Sequence, residues 1–152
     1  MEIDNSLPLI KMIELIIDEK IPLVSNLANI SSLLKNKLNN VSWAGFYLTD
    51  EERELLFLGP FQGGLACTII PKGKGVCGVA YLTKTSQLVE NVHNFKGHIA
   101  CSSTTNSELV VPIIKEGKVY GVIDLDSDLL NNFSREDQFL LEEIARKILF
   151  LF

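Results

Sequence analysis

The sequence predicts an α+β domain in which an antiparallel sheet carries its helices apart from it. Three observations lead there. Helical periodicity opens and closes the chain, period-two patterning fills the middle, and the strands follow one another through hairpin-length connections rather than crossover helices. The length of 152 residues fits one domain spanning 1–152, enough to bury a core without disulfide or metal staples.

The elements follow in order. Ser6 and Pro8 start a first helix with an apolar stripe at Leu9, Ile10, Ile13, Ile16 and Ile17. Pro22 opens a second, with Leu23, Leu27, Ile30, Leu34 and Leu38 recurring at three or four until the asparagines at 39 and 40. The period then becomes two. "VSWAGFYLTD" puts Trp43, Gly45 and Tyr47 on one face and Ala44, Phe46 and Leu48 on the other. "RELLFLGP" reads as a second strand and "LACTIIP", stopped by Pro71, as a third that includes Cys67. A glycine-rich turn leads into a short helix near Val76 to Leu82, and "SQLVEN" is a short strand before a long loop over 91–106. "SELVVPIIKE" and "KVYGVIDLDS" form a hairpin around "EG". "SRED" from Ser134 is a capping-box pattern ahead of the last helix.

Composition removes several function classes. The hydrophobic fraction is 47% with 22% charged residues, a globular balance. A net charge of −5 without a basic cluster argues against nucleic acid. No apolar run reaches the roughly 18 residues a membrane crossing needs. The opening carries Glu2 and Asp4 instead of a basic start, so no secretory signal is read and a cytoplasmic protein is expected. In a reducing cytosol three cysteines point to catalysis, redox sensing or plain burial, not to a disulfide framework.

Those cysteines differ in setting. Cys67, in its expected apolar strand, has the strongest claim to be an inert hydrophobe. Cys77 lies between Gly75 and Gly78. Cys101 is followed by Ser102, Ser103, Thr104, Thr105 and Asn106, donors that can hold a thiolate, which is the reactive form. Carboxylates gather nearby in sequence terms: Asp124 and Asp126 share one strand face, and Glu108 begins the hairpin partner. Acids at a strand end ordinarily meet water. Asp124, however, follows an apolar run where burial is expected, and crowded carboxylates repel until one retains its proton. Trp43 and Tyr47, separated by Gly45, are ordinary core aromatics or the wall of a small pocket. His93, His98, Cys101 and Cys77 are nominal zinc ligands, but their spacing matches no common zinc pattern and no metal site is expected. "PKGKGVCG" lacks the phosphate-loop pattern.

The segments "WAGFYL", "LGPFQGGLAC", "IPKGKGVCG", "NVHNFKGHIAC", "NSELVVPI" and "GVIDLDS", spanning roughly residues 41 to 127, together resemble the free methionine-(R)-sulfoxide reductases, a family built on a single GAF domain. The resemblance implies a six-stranded antiparallel GAF-like sheet with helices packed on it, and often a homodimer. It implies reduction of free methionine-(R)-sulfoxide through a sulfenic acid and a disulfide, with thioredoxin as reductant and no bound cofactor. The family's nucleophile falls on Cys101. Its disulfide partners fall on Cys67 and Cys77, with Cys67 favoured. Its acidic residues fall on Glu108, Asp124 and Asp126, and its aromatic wall on Trp43 and Tyr47. Family members commonly carry an aspartate after the nucleophile; here Ser102 stands there. The competing reading is a GAF-type small-molecule or redox sensor without turnover, against which a chain reading as one domain without an output domain counts.

Overall fold

The computed structural model describes residues 6–152; the acidic opening at Glu2 and Asp4 lies outside them. Helix α1 spans Leu9–Ile16 and α2 spans Leu23–Lys37, each entered through a proline, Pro8 or Pro22, whose fixed φ suits a helix start and whose missing N–H has no partner to lose. Strands β1 (Trp43–Asp50), β2 (Leu55–Gln62) and β3 (Ile69–Pro71) follow, then α3 (Gly75–Thr83) and β4 (Gln87–Val89). After the loop come β5 (Ser107–Lys115), β6 (Lys118–Ser127) and α4 (Arg135–Lys147). The six strands pair antiparallel in the order β3-β2-β1-β6-β5-β4, the six-stranded GAF sheet expected.

Two turns show how the sequence builds this. The β5–β6 hairpin turns on Glu116 (φ 52°) and Gly117 (φ 76°) alone, the paired positive φ values of a tight two-residue loop. At the start of α4, Asp137 N–H donates to Ser134 Oγ at 3.2 Å and Ser134 N–H donates to Asp137 Oδ2 at 2.7 Å, closing both halves of the capping box.

Strand boundaries depart from expectation in two places. β2 runs two residues further, to Gln62, because Gly59 and Pro60 are absorbed in a bulge between the Gly45–Phe61 and Tyr47–Leu58 pairs, where a proline's missing N–H costs no ladder bond. The third strand is only three residues long. Gly63, at φ 137°, turns the chain out of the sheet, so residues 63–67 form a loop and Cys67 lies in that loop, not in a strand.

The sheet separates two cores. On one face Leu27, Ile30 and Leu34 of α2, Ile13 of α1, and Leu141 and Ile144 of α4 pack on Ala44, Phe46, Leu109, Val111, Ile123 and Leu125. On the other, Trp43, Tyr47, Val110 and Val122 meet Val76, Cys77, Ala80 and Tyr81 of α3. The period-two alternation thus sends one set of side chains to three helices and the other to α3 and the loops. Among the described residues no helix is long and apolar enough to cross a membrane.

Candidate active site

The site grows from three central strands. Trp43 lies opposite Asp126, Gly45 opposite Asp124 and Tyr47 opposite Val122, while Glu108 pairs with Asp126 on the far side of β6. One sheet face therefore carries Trp43, Tyr47, Glu108, Asp124 and Asp126. Helix α3 crosses above it. A Cβ on Gly78 would lie 2.5 Å from the Pro71 carbonyl oxygen, so only glycine lets α3 settle this close to the β3 turn. That seating delivers Cys77, 3% exposed, to the carboxyl groups: its thiol donates to Glu108 Oε1 at 3.9 Å. Cys77 Sγ and carboxylate oxygens of Glu108 and Asp124 all lie within 4.8 Å of one another.

The aromatic wall is held by the neighbouring loop. Trp43 Nε1 donates to the Gly64 carbonyl at 3.1 Å, and Tyr47 OH donates to the Cys67 carbonyl at 2.9 Å. The space above Gly45 is filled, not open: a Cβ there would meet Phe61 Cβ at 2.4 Å and the Trp43 ring at 2.8 Å. Phe61 stacks on Trp43 with centroids 5.2 Å apart, and Trp43 on Tyr47 at 6.0 Å.

The polar loop is anchored at its end. Asn106 accepts the Nε2 contact of His93 at 2.8 Å through Oδ1 and donates through Nδ2 to the Asp128 carbonyl at 2.7 Å. Its other end folds over the sheet, where Cys101 forms a disulfide with Cys67, 34 residues away with Cα atoms 5.4 Å apart. Cys77 is free. Ser102 is exposed and contacts Thr104 Oγ1 at 3.2 Å. Beneath the disulfide lies a cavity of about 50 Å³ whose lining includes Trp43, Tyr47, Cys101, Glu108, Asp124 and Asp126. His98, weighed from the sequence only as a metal ligand, lines it as well.

Burial governs the electrostatics. It pushes Asp124 up to about 6, against hydrogen bonding with Glu108 and Cys77 that favours its ionised form. Glu108 rises well above the ordinary carboxyl range through burial and then the charges of Asp124 and Asp126. Asp126, partly open at the mouth, rises by desolvation and by the nearness of Asp124. The Cys77 thiol is pushed up by burial and then by the two carboxylates, so it stays protonated. Burial beside His93 lowers His98, keeping its ring neutral. The cluster thus stores protons. A metal would require its ligands deprotonated, the form this setting disfavours; of the nominal zinc set, Cys77, His98 and Cys101 line one cavity, but Cys101 is in the disulfide and His93 is held by Asn106.

A cysteine pair able to cycle between thiols and disulfide, above carboxyl groups that retain protons, is what thiol-dependent reduction of an S–O bond needs. The GAF domain family matches residues 27–151. The free methionine-R-sulfoxide reductase of Escherichia coli is 43% identical over 82% of this chain and 74% of its own length, and that of Saccharomyces cerevisiae 47% identical over 86% and 76%. The chain belongs to the free methionine-(R)-sulfoxide reductase family of GAF domains. Among solved structures of that family, the Neisseria meningitidis reductase in complex with its substrate superimposes with a TM-score of 0.85 at 40% identity, covering 95% of this chain and 83% of that one. Family membership and the fold therefore agree with the expectation from the segments between 41 and 127. One residue beside the site carries no signal in the sequence pattern: Phe61, which backs Trp43 from across the bulge.

Proposed function

We propose that this protein reduces free methionine-(R)-sulfoxide to methionine. The observation that carries the proposal is that Cys101, joined to Cys67 by a disulfide, lines one cavity with the buried Glu108–Asp124 pair. In the reduced protein, Cys101 Sγ attacks the sulfoxide sulfur and a carboxyl of the pair hydrogen-bonds the sulfoxide oxygen, protonating it as the S–O bond to the substrate breaks. That oxygen passes as hydroxyl to Cys101 Sγ while the transient bond between the two sulfurs breaks, its electron pair staying with the substrate sulfur, so methionine leaves and Cys101 is left as a sulfenic acid. The Cys67 thiol then displaces that oxygen as water, forming the disulfide. Two electrons from a dithiol such as thioredoxin restore both thiols by exchange, so no bound cofactor is needed. The ionised remainder of the carboxyl cluster pairs with the substrate ammonium, which a peptide-linked methionine lacks. The methyl and side chain rest on Trp43 and Tyr47. This chemistry fits a reducing cytoplasm, and the homodimer that the family resemblance implies is carried over with the same reading.

The test is epimer-resolved turnover. With free methionine-(R)-sulfoxide and a thioredoxin system, NADPH is consumed, while the S epimer and a peptide-bound sulfoxide are turned over at least about a hundredfold more slowly, a ratio within reach of buried charge recognition. Cys101→Ser abolishes turnover with either thioredoxin or dithiothreitol; Cys67→Ser retains the dithiothreitol-driven reaction and loses most of the thioredoxin-driven one. Absence of consumption by the native protein with every sulfoxide would replace this reading with the thiol-based sensor.

A further inference from the structure

Cys77 is the one thiol the proposed cycle does not use. Its surroundings are unlike those of a resolving cysteine. The side chain is 3% exposed on the sheet side of α3, and its hydrogen-bond partner is the carboxylate Glu108, not a second sulfur. Attack on a sulfenic acid requires a thiolate, and this thiol is kept protonated by burial and by the adjoining acids. The pairing of Cys101 with Cys67 leaves Cys77 in place against those acids. Asp124 Oδ1, meanwhile, is buried with no donor from the protein. The carboxyl pair thus has few protons directed at it, and the Cys77 S–H is one of them.

We propose that Cys77 is a positioning residue for the proton-holding Glu108–Asp124 pair: it acts as a hydrogen-bond donor that fixes the orientation of the Glu108 carboxyl and sets the pH at which the pair gives up its proton, and it takes no part in disulfide exchange. The proposal rests on the reductase reading for its functional consequence. Its physical content stands without it. A donor to a carboxylate stabilises the ionised form, so the thiol holds the pair's proton affinity below the value that burial and mutual repulsion alone would produce. Without it, the pair would hold its proton too firmly to release it to the substrate oxygen. Other groups facing the pair act in the opposite sense or are neutral. Asp126 on β6 repels and raises it, Tyr47 on β1 stays un-ionised with its hydroxyl committed to the Cys67 carbonyl, and His98 in the loop is kept neutral. Among these neighbours the Cys77 thiol alone favours ionisation of Glu108. The loss of a single such donor corresponds to about half to one pH unit.

Three measurements test this, the first independent of turnover. In the oxidised protein Cys67 and Cys101 are joined, so Cys77 is the sole S–H among three cysteines. Its infrared S–H stretch should lie at the low-frequency, hydrogen-bonded position and move further down as the protonated-carboxyl band is titrated away. An S–H band at the free-thiol position, unmoved by pH, overturns the proposal whether or not the protein is a reductase. The second compares variants. Cys77→Val, similar in volume but with no donor, should raise the midpoint of the carboxyl titration, and the alkaline limb of kcat/KM with it, by about half to one pH unit. Cys77→Ser, which retains a donor, should keep both at or below the native value. Equal shifts in the two variants, or no shift in Cys77→Val, would reduce Cys77 to a packing residue. Finally, a single oxidising turnover of Cys67→Ser should accumulate the Cys101 sulfenic acid; a Cys77–Cys101 disulfide there would make Cys77 a resolving thiol and defeat the assignment.

Discussion

Asp124 shows the cost of the site most plainly. It stands in the middle of the sheet opposite Gly45, with apolar neighbours Ile123 and Leu125 directed to the opposite core. Its carboxyl titrates near 6 in the folded protein against an ordinary 3.8, because burial penalises the charge. A folded-state value raised above the unfolded one means that folding takes up protons. The carboxyl's contribution to stability is complete below about pH 4 and is lost as pH rises through 6. Two units correspond to about 3 kcal/mol, an upper figure since the proton is shared across the cluster. Asp124→Asn should therefore raise stability at pH 8 by about 1–3 kcal/mol, a gain of several degrees in Tm, while lowering kcat/KM by about a hundredfold or more. At pH 4 the stability gain should vanish. Calorimetry at the two pH values checks the sign, and a variant less stable than the native protein at pH 8 would show that the carboxylate is better partnered than its burial implies. Much of this site is legible in sequence because a strand's period of two assigns residues to faces: Trp43 with Tyr47, and Asp124 with Asp126, each follow from spacing alone. Phe61 is not legible in the same way. Its approach to Trp43 depends on the register across a bulge at Gly59 and Pro60, which the linear pattern does not encode.

At the scale of elements, the loop at 63–67 and the loop carrying Cys101 act as one closure. The first holds Trp43 and Tyr47 through its carbonyls, and the disulfide ties the second to it. Sequence patterning extends a strand through Cys67 because residues 65–71 are largely apolar; the glycines at 63 and 64 override it by releasing the backbone from the ladder. The consequence is a cysteine in a loop within reach of Cys101, a contact spanning 34 residues that no local pattern announces. With the disulfide closed, the cavity of about 50 Å³ holds a few waters, far below the roughly 300 Å³ of small-ligand sites. The disulfide-bonded protein should therefore bind free methionine-(R)-sulfoxide at least about tenfold more weakly than the reduced one. Calorimetric titration of the oxidised protein and of reduced Cys101→Ser, which binds without reacting, compares the two. Equal affinities would mean that the substrate enters without the loops parting. The same cross-link should stabilise the fold: closing a loop of this length is worth up to about 4 kcal/mol through the unfolded chain.

Across the whole molecule the sheet divides two duties. Helices α1, α2 and α4 cover one face with a largely apolar core, its buried polar side chains being the uncharged Asn26, Ser31 and Gln138, and α3 with the loops covers the other, where acids and thiols interrupt the packing. Stability should then reside largely on the helical side and chemistry on the other, with β1, β5 and β6 shared. Leu141 tests the division. It is fully buried on α4 against β5, on the face away from Asp124 and Cys101. Leu141→Ala removes buried methyl groups and leaves a cavity, at a cost of about 2–5 kcal/mol, which for a chain of this size lowers Tm by roughly 5–15 °C. If the strands transmit none of this to the opposite face, kcat/KM at 25 °C should remain within about twofold of native and the alkaline limb of the pH profile should not move. Thermal unfolding and steady-state kinetics on the same preparation decide the matter. A folded Leu141→Ala protein with kcat/KM reduced tenfold would show that α4 packing positions Glu108 through β5, and that the helical layer belongs to the active site as much as α3 does.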